Sequence, residues 1–458
     1  MTAPAGPVAI VGGGWAGCAA AVELARAGRR VTLFEQAPTL GGRARRVAFD
    51  TATVDNGQHL LIGAYRQTLD LIATVHGADH AAALLQRLPL TLAPFGAAPR
   101  GAVALRSRRL PAPLHLAAGI AAARGLSWRE KLALVDAFRR LARAGFRCPP
   151  RATVAEYFAA SPARTMNALW TPLCLAACNT PPDRASAQVF ANVLREAFAD
   201  RAAASDFLIP ATDLSALFPD AAARYVGANG GEVRTGTSVQ RVTGGDAGAA
   251  VRTNRGEERF AAVVIAVGPH QLAAIIGPAD DPAGAVDAGP LAAALAQVSA
   301  FTYESITTAW LAYPGTVPLP APIARLDDDP GQWVFERSRA LVPSLSGGAR
   351  TLLAVVISAG GPHDALDHAA LAARVDAQLR RRAPALPAPA WARVIAERRA
   401  TYACTPALAR PAAGRLAPGL YLAGDYTVAE LPPTLEAATR SGAAAARAVD
   451  DDLRAQAH

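Results

Sequence analysis

The sequence contains a single lysine, Lys131, so arginine carries almost all of its positive charge. Lysine and arginine together number 46 against 37 acidic residues, which gives a formal net charge of +9. The arginines are spread from Arg26 to Arg454, whereas a nucleic-acid-binding protein concentrates its basic residues on one face or arm. The charge pattern therefore argues against a nucleic-acid partner.

Cysteine is also scarce and irregularly placed. An odd number of cysteines without CxxC spacing argues against a disulfide scaffold or a zinc ribbon, so we expect no metal site and a reducing compartment. The five are Cys18, Cys148, Cys174, Cys178 and Cys404.

Long apolar runs are missing as well. The longest candidate, Leu114 to Ala123, is too short to span a bilayer. The N-terminus has no basic region, and glycines interrupt its apolar stretch, unlike a signal peptide. These features predict a cytoplasmic protein.

The composition is that of a globular protein, and the length suggests two or three domains. The chain has 458 residues, of which 52% are hydrophobic and 18% charged. Such a chain can bury a large core, and the composition excludes disordered, collagen-like and coiled-coil classes.

The first forty residues have the pattern of a βαβ unit that binds a dinucleotide. The apolar run Val8–Val11 predicts a buried parallel strand, and the glycine-rich turn after it places glycine at Gly12, Gly14 and Gly17. An alanine-rich helix and a second strand follow, ending at Glu35. Gly12 permits the tight turn, Gly14 lets the backbone approach a pyrophosphate, and Gly17 allows close helix packing. Glu35 would accept hydrogen bonds from ribose hydroxyls, and its charge disfavours NADP at this site.

Three further segments indicate FAD rather than NAD. Leu40–Arg43 follows Glu35 and brings two glycines and an arginine towards the same pyrophosphate. A polar turn covers 54–59, and near the C-terminus a buried strand ends at Gly424 and Asp425, before a small-residue helix that starts near Pro433. A strand ending in Gly-Asp beside a helix N-terminus suits a ribityl chain or the edge of a flavin.

Together these segments resemble the flavin-containing amine oxidase and carotenoid desaturase superfamily from end to end. The resemblance implies an α/β fold: a discontinuous Rossmann-like FAD-binding domain of the glutathione-reductase type, with a mixed sheet-and-helix substrate domain. Relatives usually have glycine where Ala437 stands. By resemblance the FAD-binding residues are Gly12, Gly14, Trp15, Ala16, Gly17, Glu35, Gln36, Gly42, Arg43, Gly57, Gln58, His59, Val239, Gly424, Asp425, Thr434, Leu435 and Glu436.

A closer resemblance lies in segments 55–65, 172–182, 186–190 and 213–219. They are similar to the hydroxysqualene dehydroxylases, the squalene-associated FAD-dependent desaturases of hopanoid pathways. That family implies a polyprenoid substrate and a reductive dehydroxylation with hydride from reduced flavin. The sequence has one dinucleotide fingerprint, so electrons would come from transiently bound NAD(P)H or from a separate reductase.

Several alternatives stay open at this stage. A polyprenoid desaturase would use the same fold with electrons flowing the other way, and a prenyl-protein carrier would use no flavin. Many amine oxidases of the superfamily use a lysine in the substrate domain, whereas Lys131 lies in a basic helix, which makes amine oxidation less favoured. His59 and Asp55 are candidate proton donors, with His59 equally suited to hydrogen-bonding the cofactor or a backbone carbonyl.

The chain order predicts two interleaved domains. The FAD-binding domain would comprise 1–80, 213–269 and 411–458, and the substrate domain 81–212 and 270–410. Within the latter, the helix from Trp128 to Gly145 places Leu134, Phe138 and Leu141 on one face flanked by arginines. This helix would lie on the inner face of an anionic membrane and admit a lipid, or else pack as an ordinary surface helix.

Overall fold

The largest sheet is a six-stranded, mostly parallel sheet with a fully buried centre. A computed structural model describes residues 6–49, 52–96, 102–246, 248–276, 289–317, 319–341 and 349–456. In spatial order the strands are β10 (Glu232–Arg234), β2 (Val31–Phe34), β1 (Val8–Val11), β14 (Ala262–Ile265), β21 (Leu420–Leu422) and β20 (Gly414–Ala417). Neighbours are parallel except β20 and β21. The apolar runs at its centre are typical of parallel strands covered on both faces.

Helices packed on this sheet rely on small residues for close approach. They are α1 (Trp15–Arg26), α11 (Pro219–Ala228) and α16 (Leu435–Ala455), and α2 (Arg66–His76) and α10 (Leu214–Leu217) pack against these helices. α1 and α16 lie so close that a Cβ on Gly442 would be 2.1 Å from the Ala16 carbonyl oxygen. The amphipathic pattern of residues 213–227 predicts one helix. The structure has two, α10 and α11, because Phe218 leaves the helical conformation and Pro219 starts a new helix.

A second, antiparallel sheet is built entirely from the region after residue 300. It has five strands in the order β16 (Ile323–Arg325), β17 (Trp333–Glu336), β18 (Thr351–Ser358), β15 (Tyr303–Tyr313) and β19 (Trp391–Tyr402). The apolar, β-branched runs at 305–311, 351–357 and 392–395 predict three strands. All three are present, and the last is much longer than its apolar run. Helices α14 (Ser338–Leu341) and α15 (His368–Arg382) follow strands of this sheet.

Smaller sheets connect these layers. An antiparallel meander contains β11 (Val239–Gly245), β12 (Gly248–Thr253) and β13 (Gly256–Phe260). Sequence reasoning missed β13 because its first four residues are exposed and its apolar pattern is weak. The remaining strands are β3 (Arg46–Phe49) with β4 (Ala52–Asp55), β5 (Leu61–Ile62) and β6 (Leu85–Leu88) with β9 (Phe207–Pro210), and β7 (Thr91–Leu92) with β8 (Leu105–Arg106).

The sequence predicts that residues 81–212 are largely helical, and the structure confirms this prediction. The helices of this region are α3 (Ala78–Ala83), α4 (Leu114–Ala122), α5 (Trp128–Arg143), α6 (Val154–Tyr157), α7 (Ala163–Thr165), α8 (Thr171–Cys178) and α9 (Ala187–Phe198). Beyond it lie α12 (Pro269–Ile276) and α13 (Pro290–Ser299). Within the described part of the chain, none of the helices combines the length and apolarity that crossing a bilayer requires.

The apolar face of α5 packs into the protein, as in the second of the two alternatives predicted for this helix. Leu134 and Leu141 are buried, and the Phe138 ring lies 5.7 Å from the ring centres of both Trp170 and Phe198. The face packs inward because aromatic side chains of the neighbouring helices cover it.

α4 carries a buried histidine that lacks a hydrogen-bond partner. His115 is 1% exposed, and neither of its ring nitrogens has a partner among the described residues. Burial lowers the pKa of His115 below its ordinary value of 6.5. In the unfolded chain the imidazole would therefore bind a proton more readily than in the folded protein.

We expect the stability of the protein to fall as the pH drops below about 6.5, because the unfolded state binds the extra proton first. The contribution of His115 is fully present above pH 6.5 and is lost as the pH falls towards the lowered folded-state pKa. His115→Met should flatten this dependence and raise the unfolding free energy by about 1 kcal/mol at neutral pH, since an unpaired buried polar group is removed. Urea melts at several pH values measure both effects. His368→Met, at an exposed position of α15, is the control, and an unchanged slope in His115→Met would contradict the prediction.

Candidate functional site

A cavity of about 780 Å³ is lined by residues of both large sheets. The six-stranded sheet contributes the ends of β1 and β2 and the turns after β14 and β21, and the five-stranded sheet contributes residues of all its strands. The predicted FAD-binding residues and candidate proton donors line this cavity, except for Gly17 and Asp55. Segments far apart in the chain therefore meet at one site.

The glycine-rich turn after β1 presents open space at one glycine only. Gly12 has φ +104°, and a Cβ there would lie 2.6 Å from the Ala266 carbonyl oxygen. A Cβ on Gly17 would lie 1.9 Å from the Gly12 carbonyl oxygen. At Gly14 a Cβ would meet nothing nearer than the Gly42 Cα at 3.9 Å. Gly12 and Gly17 thus serve the packing, while the space before Gly14, at the N-terminus of α1, is free for an anionic group.

Glu35, at the end of β2, is oriented by the backbone. Its Oε2 accepts a hydrogen bond from the Gly13 N–H at 2.7 Å, and its Oε1 accepts one from the Ala37 N–H at 2.8 Å. Each carboxylate oxygen keeps a lone pair, so the group can also accept from the hydroxyls of a ribose. Gln36, which follows it, and Val239, at the start of β11, line the same end of the cavity.

The loop 40–43 lies directly on the glycine-rich turn. The Gly41 N–H donates to the Gly13 carbonyl at 2.8 Å, and Gly42, with φ +59°, brings its backbone to Gly14. The Arg43 guanidinium donates to Asp425 Oδ2 at 2.6 Å and to the Ala400 carbonyl of β19. This ion pair raises the pKa of Arg43. The two predicted cofactor residues Arg43 and Asp425 therefore contact each other across the cavity wall.

The turn 57–59 fixes the tautomer of His59. Its Nδ1 lies 2.8 Å from the Gly57 carbonyl, which can only accept, so Nδ1 carries the proton. Burial, together with the positive charge of Arg43, lowers the pKa of His59 below 6.5, with the carbonyl contact opposing the shift. At neutral pH the ring is therefore uncharged, and Nε2 is a hydrogen-bond acceptor.

Gln58 offers a buried acceptor without a partner. Its N–H donates to Thr308 Oγ1 at 3.3 Å and its Nε2 donates to the His59 carbonyl at 2.7 Å. Its Oε1 is buried and has no partner among the described residues. An orphaned acceptor in a cavity wall costs free energy unless a ligand donates to it, which fits a bound group with an N–H or O–H edge.

The start of α16 supplies another part of the wall. Thr434 caps the helix, its Oγ1 accepting from the Ala437 N–H at 3.2 Å, and Leu435 lines the cavity beside it. Glu436 is fully buried, and it accepts from the Thr68 N–H at 2.9 Å and from Arg440 Nε at 2.7 Å. Because its charge is compensated in this way, Glu436 anchors the helix N-terminus against α2.

Asp55 lies outside the cavity lining. It is 1% exposed, and its carboxylate accepts from the Leu214 N–H at 2.8 Å and from Arg337 Nη2 at 3.5 Å. Burial raises the pKa of Asp55 to about 7, although Arg337 opposes the shift. The expectation that Asp55 approaches a flavin is therefore not supported, because the residue joins β4 to the segments around Leu214 and Arg337.

We expect Arg337→Met to lower the unfolding free energy by about 3–5 kcal/mol, because it leaves the buried Asp55 carboxylate without its counter-charge. Arg337 also donates to the backbone carbonyls of Pro210 and Thr212. Adding Asp55→Asn should recover part of the loss, and chemical denaturation of the four proteins of the cycle measures this. The control Arg374→Met breaks an exposed ion pair with Asp329 and should cost less than about 1 kcal/mol. If Arg337→Met and the control Arg374→Met lost the same unfolding free energy, Arg337 would not be the buried counter-charge of Asp55.

Sequence reasoning did not find the apolar half of the cavity. Its side chains come from strands and helices far apart in the chain. In the sequence, each of these side chains has the pattern of an ordinary core residue. They are Leu60, Ile62, Leu90, Leu173, Leu175, Phe190, Val193, Leu194, Phe198, Phe207, Ile306, Ile323, Trp333, Phe335 and Val356. We call this part of the cavity the apolar chamber, and it is continuous with the groove around Gly14 and Glu35.

Comparisons with known proteins agree with this geometry. The sequence profile of the flavin containing amine oxidoreductase family matches residues 15–450. Two proteins named hydroxysqualene dehydroxylase are similar over 96% of this chain and 97% of their own, at 28% identity in Rhodopseudomonas palustris and 25% in Sinorhizobium fredii. An oxidoreductase structure from Methanosarcina mazei superimposes with a TM-score of 0.71 at 15% identity, covering 97% of this chain and 100% of that one.

The residues around the groove fit the cofactor of that family. The free space at Gly14, the oriented carboxylate of Glu35 and the orphaned acceptor of Gln58 match a pyrophosphate, a ribose and a hydrogen-bonding ring edge. The chain belongs to the flavin containing amine oxidoreductase family and is an FAD-dependent oxidoreductase.

Proposed function

We propose that the protein catalyses the reductive dehydroxylation of hydroxysqualene to squalene. The observation that carries the proposal is the apolar chamber, which is continuous with the FAD groove and lined by aliphatic and aromatic side chains. A polyprenoid chain has no polar group apart from its hydroxyl, so it needs a site of this kind. The similarity to two proteins named hydroxysqualene dehydroxylase supports the same substrate class.

In this proposal the FAD lies in a Rossmann-like domain of the glutathione-reductase type. The strands of the six-stranded sheet fall within 1–80, 213–269 and 411–458, and those of the five-stranded sheet fall within 270–410. We infer that the first three stretches form the FAD-binding domain and that 81–212 and 270–410 form the substrate domain. Gly14 would face the pyrophosphate, Glu35 the ribose, Val239 the adenine end, and Arg43 with Asp425 the inner part of the cofactor.

The reaction replaces the allylic C–O bond by a C–H bond, and the hydroxyl leaves with a proton as water. When bound, reduced FAD supplies the hydride for the carbon. The apolar chamber excludes water and other nucleophiles that would intercept an allylic cation. Five carboxylates of the described residues line the cavity. Three are engaged by arginines, Asp425 by Arg43 and both Glu196 and Glu436 by Arg440, which limits their action as bases. The other two accept from backbone N–H groups, Glu35 from Gly13 and Ala37 and Glu397 from Arg399.

His59 would act in this reaction as a hydrogen-bond acceptor rather than as the proton donor. Its neutral ring presents a lone pair on Nε2, and Arg43 opposes a second proton. Nε2 can accept from the substrate hydroxyl or from an N–H of the cofactor. As the acid it would first have to be protonated against its lowered pKa.

Amine oxidation is less well supported. The sole lysine of the sequence lies on α5, where its Nζ donates to the Ala121 carbonyl at 2.7 Å and sits 4.7 Å from the centre of the Trp128 ring. It does not line the cavity, so it cannot hold a water beside the flavin in this arrangement.

The test is a single-turnover reaction of the purified holoenzyme. The protein is reduced anaerobically with dithionite, mixed with hydroxysqualene in detergent, and the products are analysed by gas chromatography and mass spectrometry. We expect squalene to form as the flavin absorbance returns. Intact hydroxysqualene would refute the proposal, and a longer conjugated polyene produced by the oxidised enzyme from a phytoene-like polyprenoid would assign a desaturase instead. Repeating the reaction with NADPH, NADH or a flavodoxin-type reductase in place of dithionite identifies the electron donor.

A further inference from the structure

The exposed large apolar side chains of the described residues are concentrated in one region. They are Leu110 (42% exposed), Leu114 (58%), Trp128 (69%) and Leu132 (66%). Elsewhere in the described part of the chain, large apolar side chains are at least partly covered. A contiguous group of exposed apolar side chains on a protein marks an interaction site.

These side chains belong to one surface formed by α4 and α5. Along α4 the exposed residues Leu114, Ala117 and Ala121 follow the i, i+3, i+7 spacing of a single helix face. Trp128 and Leu132 are one turn apart on α5, and Lys131 between them donates to the Ala121 carbonyl at the end of the α4 stripe. We call residues 110–132 of this face the 110–132 surface.

The surface is rimmed by unpaired positive charge. Arg108, Arg109, Arg124 and Arg129 are exposed, and none of them forms an ion pair with another described residue. The nearby Glu130 is buried and occupied by the capping box of Ser127. The combination of tryptophan, leucine and arginine on an exposed helix face is complementary to the interface of an anionic bilayer.

The inner side of the same helix pair borders a second, small cavity. This cavity of about 60 Å³ is lined by Leu116 and Ile120 of α4 and by Leu134 and Phe138 of α5. The side chains that it shares with the apolar chamber are Leu90, Leu173, Phe198, Phe207 and Trp333. The α4–α5 pair therefore forms the wall between the apolar chamber and the 110–132 surface.

We propose that the 110–132 surface docks on an anionic membrane and that the lipid substrate enters the apolar chamber between α4 and α5. Docking rests on the exposed side chains and their charges alone, whereas the entry route rests on the proposed function. Trp128 and Leu132 insert among the headgroups, the arginines contact lipid phosphates, and the small cavity lies on the path of the polyprenoid chain.

Vesicle flotation of the holoenzyme tests docking without any turnover. The vesicles are phosphatidylcholine with and without phosphatidylglycerol. We expect binding to the anionic vesicles only, and a loss of about tenfold or more in binding for Trp128→Ser/Leu132→Ser and for Arg124→Glu/Arg129→Glu. Arg255→Glu/Arg259→Glu, at exposed positions of the β12–β13 hairpin, reverses the same number of charges, so it is the charge-matched control and should bind nearly as wild type. Flavin absorbance and the melting temperature show that each variant is folded.

Turnover in two substrate presentations separates docking from the proposed reaction. With hydroxysqualene in anionic vesicles, the surface variants should lose most of their rate, while with hydroxysqualene in detergent micelles they should match the wild type. No flotation of the wild type, or equal flotation of wild type and surface variants, would overturn the docking proposal. A wild-type protein that self-associates through these residues, seen as dimers in sedimentation that Trp128→Ser/Leu132→Ser abolishes without vesicle binding, would also overturn it. Flotation without turnover in either presentation would leave docking supported and would refute the proposed reaction.

Discussion

Gly14→Val is expected to yield a folded protein that no longer retains FAD. Gly14 has extended backbone angles that valine adopts readily, with φ −70° and ψ −179°. A Cβ at this position meets no protein atom closer than 3.9 Å. The valine side chain would therefore fill the space that the pyrophosphate needs, rather than disturb the packing. We expect the dissociation constant for FAD to rise by about a hundredfold or more, since both close backbone contacts and helix N–H donors are lost.

The measurement is the flavin content after purification, followed by titration of the apoprotein with FAD. Gly227→Ala is a matched control, because a Cβ there, near the C-terminal end of α11, meets nothing within 4 Å. It should keep FAD and be more stable by about 0.5–1 kcal/mol, as alanine is the better helix former. Gly17→Val should fail in a different way, by unfolding the βαβ unit, because its Cβ would lie 1.9 Å from the Gly12 oxygen. A yellow, fully loaded Gly14→Val protein would show that the cofactor lies elsewhere.

Leu173→Glu should abolish turnover while FAD binding is kept. Leu173 is half-buried on α8 and lines both the apolar chamber and the small cavity next to it. A carboxylate there would bring water into the chamber and would force a polyprenoid chain against a charged group, which costs several kcal/mol. We expect kcat/KM to fall by about two orders of magnitude or more with a polyprenoid substrate.

Reduction of the flavin by dithionite and the flavin content should be unchanged in Leu173→Glu, since the residue is not part of the groove around Gly14. Leu173→Met keeps the volume and the apolar character, and it should retain activity within a few-fold. The two variants are compared by steady-state kinetics with substrate in detergent. Normal activity in Leu173→Glu would contradict the assignment of the apolar chamber as the substrate site.

Much of the cofactor groove could be predicted from the sequence because its rules are local. The strand 8–11, the glycine spacing and Glu35 lie in one βαβ unit. Within this unit, the geometry of the neighbouring backbone determines which residue type is needed at each position. Other strands and helices were likewise predicted where apolar periodicity is strong, as in α5, β15 and β18. Predictions failed where that signal is weak or broken, as at β13 and at Phe218 between α10 and α11.

The role of a polar residue near the site could not be predicted in the same way. Asp55 and His59 are four residues apart in one segment, and the sequence predicts the same role, proton donor, for both. In the folded protein Arg337, 282 residues away, holds Asp55 in the interior, while the Gly57 carbonyl holds His59 in the cavity wall. The partner of Asp55 could not be predicted, because a contact between residues so far apart in the sequence depends on the tertiary fold, which no local pattern encodes.

The sequence by itself determined the nucleotide-binding unit, the oxidoreductase family and most of the polar and glycine residues that line the groove. Only the tertiary structure decided where the apolar chamber lies and which face of α5 is exposed. The reason is that an apolar residue carries the same signal in a core, in a cavity wall and on a membrane-binding surface. What separates these three is the presence or absence of neighbouring atoms, and those neighbours come from distant parts of the chain.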